Sequence, residues 1–214
     1  MLLNQFIDHT LLKPTATPKD ISTLCAEAIE HQFYAVCVNS CYVHLAVELL
    51  QFERVKVAAT IGFPLGTMSA EAKICEAKKC IHEGADEIDM VINIGFLKAG
   101  LIKNVREEIA SVKKAIGNKV LKVIIETCYL TDEEKKLACT IAEKAGADYV
   151  KTSTGFGTGG ATLKDILLMR NTLSTHVKIK ASGGIKSGKE AIEYIANGVS
   201  RIGTSNGIEL IKTQ

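Results

Sequence analysis

Four charged residues interrupt short segments of the sequence that otherwise have the composition of buried strands. They are Asp89, Lys122, Lys151 and Lys180, and each has apolar or β-branched neighbours on both sides. A buried charge without a partner is costly, so these residues are candidates for a functional site. The alternative is that the lysines point outwards and carry their ends to solvent, as lysines commonly do. That alternative explains one such lysine more readily than three.

Two neighbouring lysines and a carboxylate could together perform amine catalysis. A neutral lysine amine attacks an aldehyde, and the protonated imine then acts as an electron sink. The amine must first lose its proton, since an ordinary lysine with a pKa of about 10.4 is almost fully charged at pH 7. A second ammonium group, such as Lys180 beside Lys151, and a water-poor surrounding would both disfavour the charged form. Asp89 could then accept and return protons, directly or through a water.

The four charged residues lie in a regular series of predicted strands. Seven short apolar segments rich in β-branched residues recur along the chain, and an eighth, residues 5–11, has a weaker pattern. Asp89, Lys122, Lys151 and Lys180 belong to the fourth, fifth, sixth and seventh of these strands. The predicted strands are residues 5–11, 33–39, 55–61, 87–93, 121–127, 149–153, 177–181 and 201–203.

Amphipathic helices are predicted between the strands. Residues 69–83, 99–116 and 131–145 have apolar residues at spacings of three and four, with acidic residues near the start. Thr17 followed by Pro18 is typical of a helix start. Gly84, Gly146 and Gly198 each stand where a helix would end just before the next strand.

This strict alternation predicts an α/β protein with a parallel sheet. Eight units without an internal linker favour a single-domain TIM (β/α)8 barrel over residues 1–214. An open, doubly wound sheet is the alternative, but no GxGxxG motif opens a helix after the first strand. In a closed barrel, inward-facing residues of consecutive strands meet near the axis. We therefore expect three lysines and one aspartate to form a cluster.

Small, glycine-rich segments follow the last three predicted strands, at residues 152–160, 182–184 and 203–207. Glycine allows the main chain to approach a ligand closely, and TIM barrels often bind phosphate in the loops after strands seven and eight. The alternative is that these glycines only make tight turns. Their position beside the lysine-bearing strands favours an anion site and a phosphorylated substrate.

Composition narrows the class of protein further. The chain is 47% hydrophobic and 23% charged, with a formal net charge of +2, and neither a basic arm nor a long apolar span is present. We therefore expect no nucleic-acid partner and no membrane partner. The seven cysteines form no CxxC pair, and the five histidines are scattered. These features predict reduced thiols, no metal site and a cytoplasmic location.

Several separated motifs resemble the deoxyribose-phosphate aldolases, the Schiff-base-forming (class I) type, in their short bacterial or archaeal form. The resemblance runs in order along nearly the whole chain. The motifs are IDHTLLKP at 7–14, DEIDMVINIG at 86–95, KTSTGFGTGGAT at 151–162, VKIKASGGI at 177–185 and RIGTSNG at 201–207.

The resemblance implies a lyase of deoxyribose phosphate catabolism that needs no metal or organic cofactor. Its reaction is the reversible cleavage of 2-deoxy-D-ribose 5-phosphate to D-glyceraldehyde 3-phosphate and acetaldehyde. Lys151 would form the Schiff base, while Lys180 and Asp89 would assist proton transfer. A homodimer or homotetramer is also implied. The alternatives are another Schiff-base aldolase of sugar phosphates and a phosphate-sugar sensor without turnover.

The resemblance also implies binding residues. Phosphate contacts fall on glycines and a serine of the three loops, and lesser substrate contacts fall on Thr10, Cys37 and Thr154. Phe156 stands where some relatives have a lysine, so the phosphate would depend on backbone amides and on Lys186. Longer relatives end in a tail with a tyrosine that residues 208–214 do not contain, so the last proton transfer would be slower or would be served by water alone. The implied phosphate contacts are Gly155, Gly183, Gly184, Gly203 and Ser205.

Overall fold

Eight parallel strands close into a barrel in which β1 pairs with both β2 and β8. The computed structural model describes residues 2–213, so Met1 and Gln214 of the predicted domain lie outside the described residues. The predicted TIM-barrel fold is confirmed. The strands are β1 (Ile7–Leu11), β2 (Ala35–Asn39), β3 (Lys56–Ile61), β4 (Glu87–Val91), β5 (Val120–Ile124), β6 (Tyr149–Lys151), β7 (Lys178–Ser182) and β8 (Val199–Thr204).

Helices cover the outside of the barrel, and 3-10 turns occur at Leu3–Phe6, Ser40–Tyr42 and Thr127–Tyr129. None of the helices within residues 2–213 is long and apolar enough to cross a membrane. The helices are α1 (Pro18–Glu30), α2 (Val43–Leu50), α3 (Ala70–His82), α4 (Ile94–Lys98), α5 (Ile102–Ile116), α6 (Asp132–Lys144), α7 (Leu163–Thr172), α8 (Gly188–Ala196) and α9 (Gly207–Lys212).

Local sequence signals fix several helix ends. Thr17 caps α1: its backbone N–H donates to Asp20 Oδ2 at 2.8 Å, and Pro18 occupies the first turn. The three glycines predicted to end helices have left-handed backbones, with φ of +102° at Gly84, +88° at Gly146 and +99° at Gly198. These ends form because glycine adopts positive φ without a steric penalty.

The predicted helix over residues 99–116 is wrong at its N-terminal end. In the structure α5 begins only at Ile102, and a separate short helix, α4, ends at Lys98, just before the predicted range. Gly100 lies between them with φ of +73°, a backbone conformation that ends a helix. Asn93, which was placed at the end of the predicted strand over 87–93, instead caps α4, because its side chain accepts a hydrogen bond from Phe96 N at 3.0 Å.

Side chains point alternately to the two faces of each strand, so that one set packs against the helices in the apolar core and the other set faces the barrel interior. Ile88 and Met90 of β4 face the layer between strands and helices, where they belong to the main apolar cluster with Ile109 of α5. Asp89, between them, faces the opposite side. Its Cα is paired with that of Lys122 on β5. Burial of the apolar face thus fixes which residues point towards the barrel axis.

Candidate active site

Asp89 lies at the centre of a buried group of lysines near the barrel axis. Its Oδ1 accepts a hydrogen bond from Lys122 Nζ at 2.7 Å, and its Oδ2 accepts from Lys151 Nζ and Lys180 Nζ, each at 2.8 Å. None of the four residues is more than 2% exposed. The structure therefore brings together the four charges that the sequence places on consecutive strands, with a shared carboxylate between Lys151 and Lys180.

Three further charged side chains extend this group. Lys180 Nζ donates to Asp8 Oδ2 at 2.5 Å, and Lys122 Nζ lies 2.5 Å from Glu87 Oε2. Arg201 Nη1 donates to Asp8 Oδ1 at 2.8 Å and lies 3.4 Å from Glu87 Oε2. The charge cluster, as we name it, consists of Asp8, Glu87, Asp89, Lys122, Lys151, Lys180 and Arg201.

Asp8, Glu87 and Arg201 were not predicted from the sequence to belong to the site. Asp8 lies in the strand with the weakest pattern, and Glu87 is the first residue of β4. Arg201 was placed at the start of a strand over 201–203, whereas β8 begins at Val199 and Arg201 lies inside it. With the correct bounds of β8, the criterion that found the lysines, a charge within a strand, would have found Arg201, whereas Asp8 already lay within the predicted strand over 5–11.

The charge cluster carries one more cation than anions: three lysines and one arginine make four cations, against three carboxylates. Lys122 and Lys180 each have two carboxylates within 2.8 Å. Among the described residues, Lys151 pairs with Asp89 alone. Lys151 is therefore the cluster lysine whose loss of a proton breaks the fewest ion pairs. No group of three or more histidine, cysteine, aspartate or glutamate side chains in residues 2–213 is placed to hold a metal ion.

The surrounding charges decide the protonation of the other members. Burial would raise the pKa of Asp89, but the three lysines outweigh burial and hold this pKa well below its ordinary value. Burial would lower the pKa of Lys180, yet Asp8 and Asp89 raise it above the ordinary value. The pKa of Lys122 is raised in the same way against its burial, mainly by Asp89. At neutral pH Asp89 is thus ionised, and Lys122 and Lys180 are protonated.

Acid is expected to weaken the fold through Asp8. Burial alone would raise the pKa of this carboxyl, but Lys180, Arg201 and Lys122 outweigh burial and lower it from 3.8 to about 2. A carboxyl with a depressed folded-state pKa contributes stability that is complete above its unfolded-state pKa and is lost as the pH falls through the folded-state value. The stability difference between the wild type and Asp8→Asn should therefore shrink by about 2 kcal/mol between pH 5 and pH 2. Urea unfolding across this range measures it, and a constant difference would contradict the expectation.

A cavity of about 450 Å³ opens at the C-terminal ends of the strands, and Lys151 lines it. The loops after β6, β7 and β8 and the end of β1 form its walls. Of the other residues named from the sequence, Asp89, Lys122, Lys180 and Cys37 do not line this cavity, whereas the other binding residues do. Those that line it with Lys151 are Thr10, Thr154, Gly155, Gly183, Gly184, Gly203 and Ser205.

Close backbone contact between two loops shapes one wall of the cavity. Gly183 has φ of +84°, and its carbonyl oxygen accepts from Ala161 N at 3.0 Å. A Cβ at Gly160 would lie 2.1 Å from that oxygen, so no larger residue fits at position 160. Ser182 Oγ joins the loops further by donating to Ser153 O at 2.6 Å. The glycines of these loops therefore do more than make turns, because they allow the backbones of the two loops to pack in direct contact.

The structure places the remaining candidates differently. Thr10 lines the cavity, but its hydroxyl donates to Asp8 O at 2.8 Å. Cys37 is fully buried in a small apolar group with Leu12 and Ala58, and burial raises the pKa of its thiol. His9 Nε2 lies 2.7 Å from Glu27 Oε2, a contact that holds this histidine against α1.

The mouth of the cavity combines an aromatic pair with two cations. Phe156 is 50% exposed and packs edge-to-face against Phe63, with ring centres 5.3 Å apart. Lys13 and Lys186 line the cavity and are exposed. Of these two lysines, only Lys186 was predicted from the sequence to contribute to the site. An anion entering this cavity would meet these ammonium groups and the loop backbones together.

The arrangement resembles known proteins over nearly its whole length. Residues 2–208 match the model described as DeoC/LacD family aldolase. The deoxyribose-phosphate aldolase of Finegoldia magna is 55% identical over 212 residues, which cover 99% of this chain and 100% of that one. The deoxyribose-phosphate aldolase of Brevibacillus brevis is 54% identical over 211 residues, which cover 99% of this chain and 96% of that one.

Solved structures of similar sequence share the fold closely. A putative deoxyribose-phosphate aldolase from Coccidioides immitis superposes with a TM-score of 0.96 at 41% identity, covering 99% of this chain and 85% of that one. The deoxyribose phosphate aldolase from Aeropyrum pernix, described as tetrameric, gives a TM-score of 0.89 at 32% identity, covering 98% and 89%. With the barrel, the lysine cluster and the family match in agreement, the chain belongs to the DeoC/LacD family of aldolases.

Proposed function

We propose that this chain is a deoxyribose-phosphate aldolase, which reversibly cleaves 2-deoxy-D-ribose 5-phosphate to acetaldehyde and D-glyceraldehyde 3-phosphate. One observation carries the proposal: Lys151 lines the cavity while its Nζ lies 2.8 Å from Asp89, whose carboxylate also accepts from Lys180. A lysine reachable by substrate and backed by a proton-carrying cluster is what Schiff-base chemistry requires. The identity of more than half of the residues to curated deoxyribose-phosphate aldolases supports the choice of substrate.

In the first stage, the neutral amine of Lys151 attacks the aldehyde carbon C1 of the open-chain sugar. The resulting carbinolamine takes up a proton and loses water, which leaves a protonated imine. Asp89, to which Lys151 is already hydrogen bonded, can relay the proton that Lys151 releases beforehand without keeping it, since the pKa of this carboxyl lies well below its ordinary value. Since neither Asp89 nor Lys180 lines the cavity, we propose that a water carries protons between them and the substrate.

In the second stage, the bond between C2 and C3 breaks and its electron pair flows into the imine. The C3 hydroxyl loses its proton and becomes the aldehyde of glyceraldehyde 3-phosphate, while C1 and C2 remain on Lys151 as an enamine. Protonation of C2 returns an imine, and the addition of water releases acetaldehyde and the free lysine. The water taken up here balances the one lost in the first stage.

We propose that the phosphate lies against the glycine-rich loops. Gly155, Gly183 and Gly184 have positive φ, which exposes their N–H groups in a way that side-chain-bearing residues rarely allow. Gly203 and Ser205 line the same cavity. Lys186 would contribute a cation at the mouth, where Phe156 contributes none. Sequence analysis named the same groups.

Borohydride trapping tests the proposal. Borohydride reduces an imine to a stable amine, so protein incubated with deoxyribose 5-phosphate and then reduced should carry an ethyl group on one lysine. We expect peptide mass spectrometry to locate it on Lys151 and on no other lysine of the cluster. Measurable cleavage with Lys151 unmodified would contradict the mechanism, and no cleavage at all would contradict the proposed substrate.

We further propose that residues 1–214 act as one domain and assemble into a homodimer or homotetramer in the cytoplasm. The tetrameric description of the Aeropyrum pernix relative supports assembly. All seven cysteines are free thiols, as expected in a reducing compartment. Light scattering coupled to size-exclusion chromatography measures the assembly state directly.

A further inference from the structure

Glu126 is a buried carboxylate that the proposed chemistry leaves without a role. It follows β5 by two residues and is 2% exposed. Its backbone is left-handed, with φ of +53° and ψ of +70°, which is uncommon for a residue with a side chain. Residues held in such a conformation concentrate at functional sites, where surrounding contacts maintain them. The contacts of this side chain therefore need an explanation.

The carboxylate of Glu126 is held by the loop between β6 and α7. The backbone N–H of Thr154 lies 3.2 Å from each of its two oxygens, and the Thr154 hydroxyl donates to Oε2. The Cys128 thiol donates more weakly, with Sγ 3.9 Å from Oε1. No ion pair within residues 2–213 includes this carboxylate. Its burial is thus compensated by loop donors, and the loop is in turn fixed by the carboxylate.

The contact continues from Thr154 into the cavity wall. Because its hydroxyl hydrogen is given to Glu126, Thr154 Oγ1 is free to accept, and it accepts from Phe156 N at 3.0 Å. Gly155, between the two residues, has φ of +87°, and both Gly155 and Phe156 line the cavity. A Cβ at Gly157 would lie 3.2 Å from the Glu126 carboxyl carbon, so the loop is packed closely against it.

We propose that Glu126 is a positioning residue that holds the β6–α7 loop in the conformation that receives the phosphate-bearing end of the substrate. The inference deepens the proposed function and rests on it for the identity of the substrate. Glu126 does not line the cavity and touches no reacting atom. Its effect should therefore fall on substrate binding, through Thr154 and Gly155, and only slightly on the chemical steps.

The direction in which KM changes distinguishes a positioning role of Glu126 from a purely electrostatic effect of its charge. Glu126 is a negative charge close to the proposed site of a phosphate dianion. If charge alone mattered, its neutralisation would tighten binding and lower KM. If Glu126 positions the loop, its neutralisation loosens binding and raises KM, because the Thr154 donors lose their acceptor.

The test compares Glu126→Gln and Glu126→Gly with the wild type. Glutamine keeps the size but replaces one acceptor oxygen by a donor, which opposes the Thr154 N–H. Glycine adopts φ of +53° without strain, so any loss in that variant comes from the missing carboxylate rather than from the backbone. Glu133→Gln, at an exposed position of α6, is the matched control for the change in charge.

Two measurements are made on each variant. Hydrogen–deuterium exchange of peptides covering residues 152–160 reports loop order without any need for turnover. Steady-state kinetics with deoxyribose 5-phosphate and with unphosphorylated deoxyribose report the split between KM and kcat. In both Glu126 variants we expect faster exchange in this segment, a KM for the phosphate ester raised about tenfold and a kcat within about threefold of the wild type. The rate constant kcat/KM for deoxyribose should change by less than about threefold.

Each contrary outcome has a definite meaning. Unchanged exchange in residues 152–160, or a lowered KM for the phosphate ester, would overturn the positioning role. An equal loss with phosphorylated and unphosphorylated sugar would overturn the link to the phosphate end. If the wild type cleaves neither sugar, the proposed function fails, and the exchange measurement still decides whether Glu126 orders the loop.

Discussion

Replacement of Lys151 by alanine or methionine should abolish turnover without weakening the fold. The nucleophile is lost in both variants, and no other cluster lysine lines the cavity in the described residues, so we expect kcat/KM to fall by at least about 1,000-fold. Methionine keeps the length of the aliphatic stem, so no large void forms. Removal of this ammonium also balances the charge cluster at three cations and three carboxylates. The melting temperature of Lys151→Met should therefore stay level or rise.

A coupled assay of acetaldehyde release measures turnover, and thermal unfolding measures stability. Lys178→Met is the matched control, because Lys178 lies on β7 two residues before Lys180 but is exposed at the N-terminal end of the strand. We expect this control to retain wild-type turnover. Residual turnover above about 1% in Lys151→Met, or a marked loss of stability, would contradict the proposed roles of Lys151 and of charge balance.

Asp89→Asn should abolish most of the activity and also destabilise the protein, in contrast to the Lys151 variants. The change leaves four buried cations with two carboxylates, and three lysines lose their shared anion. Breaking a buried ion pair on one side costs about 3 kcal/mol or more, because the remaining charges stay buried. Loss of a proton carrier should lower kcat by about 100-fold or more.

A double variant separates the two effects of Asp89. Adding Lys151→Met to Asp89→Asn returns the cluster to one excess cation, so we expect part of the lost stability to return while activity stays absent. Urea unfolding and the same assay measure both quantities. Asp86→Asn, just before β4 and partly exposed, is the control and should cost about 1 kcal/mol at most. A double variant less stable than Asp89→Asn alone would contradict the charge-balance account.

The fold could be predicted from the sequence because its signals are local and repeated. A cap such as Thr17 and a glycine such as Gly84 act within one turn of the chain, so their effect is readable from neighbouring residues. Strand bounds were less accurate: β8 is longer than predicted, and the N-terminal part of residues 5–11 forms a 3-10 turn. The break at Gly100 was missed because the helical spacing continues across it.

The candidate site could be predicted only in part, because only some of its residues leave a local signal in the sequence. Lys122, Lys151 and Lys180 were visible because a charge in an apolar strand is a local anomaly. Glu126 was not visible, since its left-handed backbone and its contacts 28 positions away at Thr154 leave no local pattern. Cys37 was named, yet it is fully buried and does not line the cavity.

The sequence by itself determined the order of strands and helices, the side of each strand that faces inwards, and which residues break the apolar pattern. Only the tertiary structure decided how those residues are paired, because closure of the barrel joins β1 to β8 and sets Asp8 against Lys180, 172 positions away. The same closure leaves Lys151 with one carboxylate and access to the cavity, while Lys122 and Lys180 are held by two. The charges were therefore readable along the chain, but their balance depends on contacts that exist only after the strands have closed.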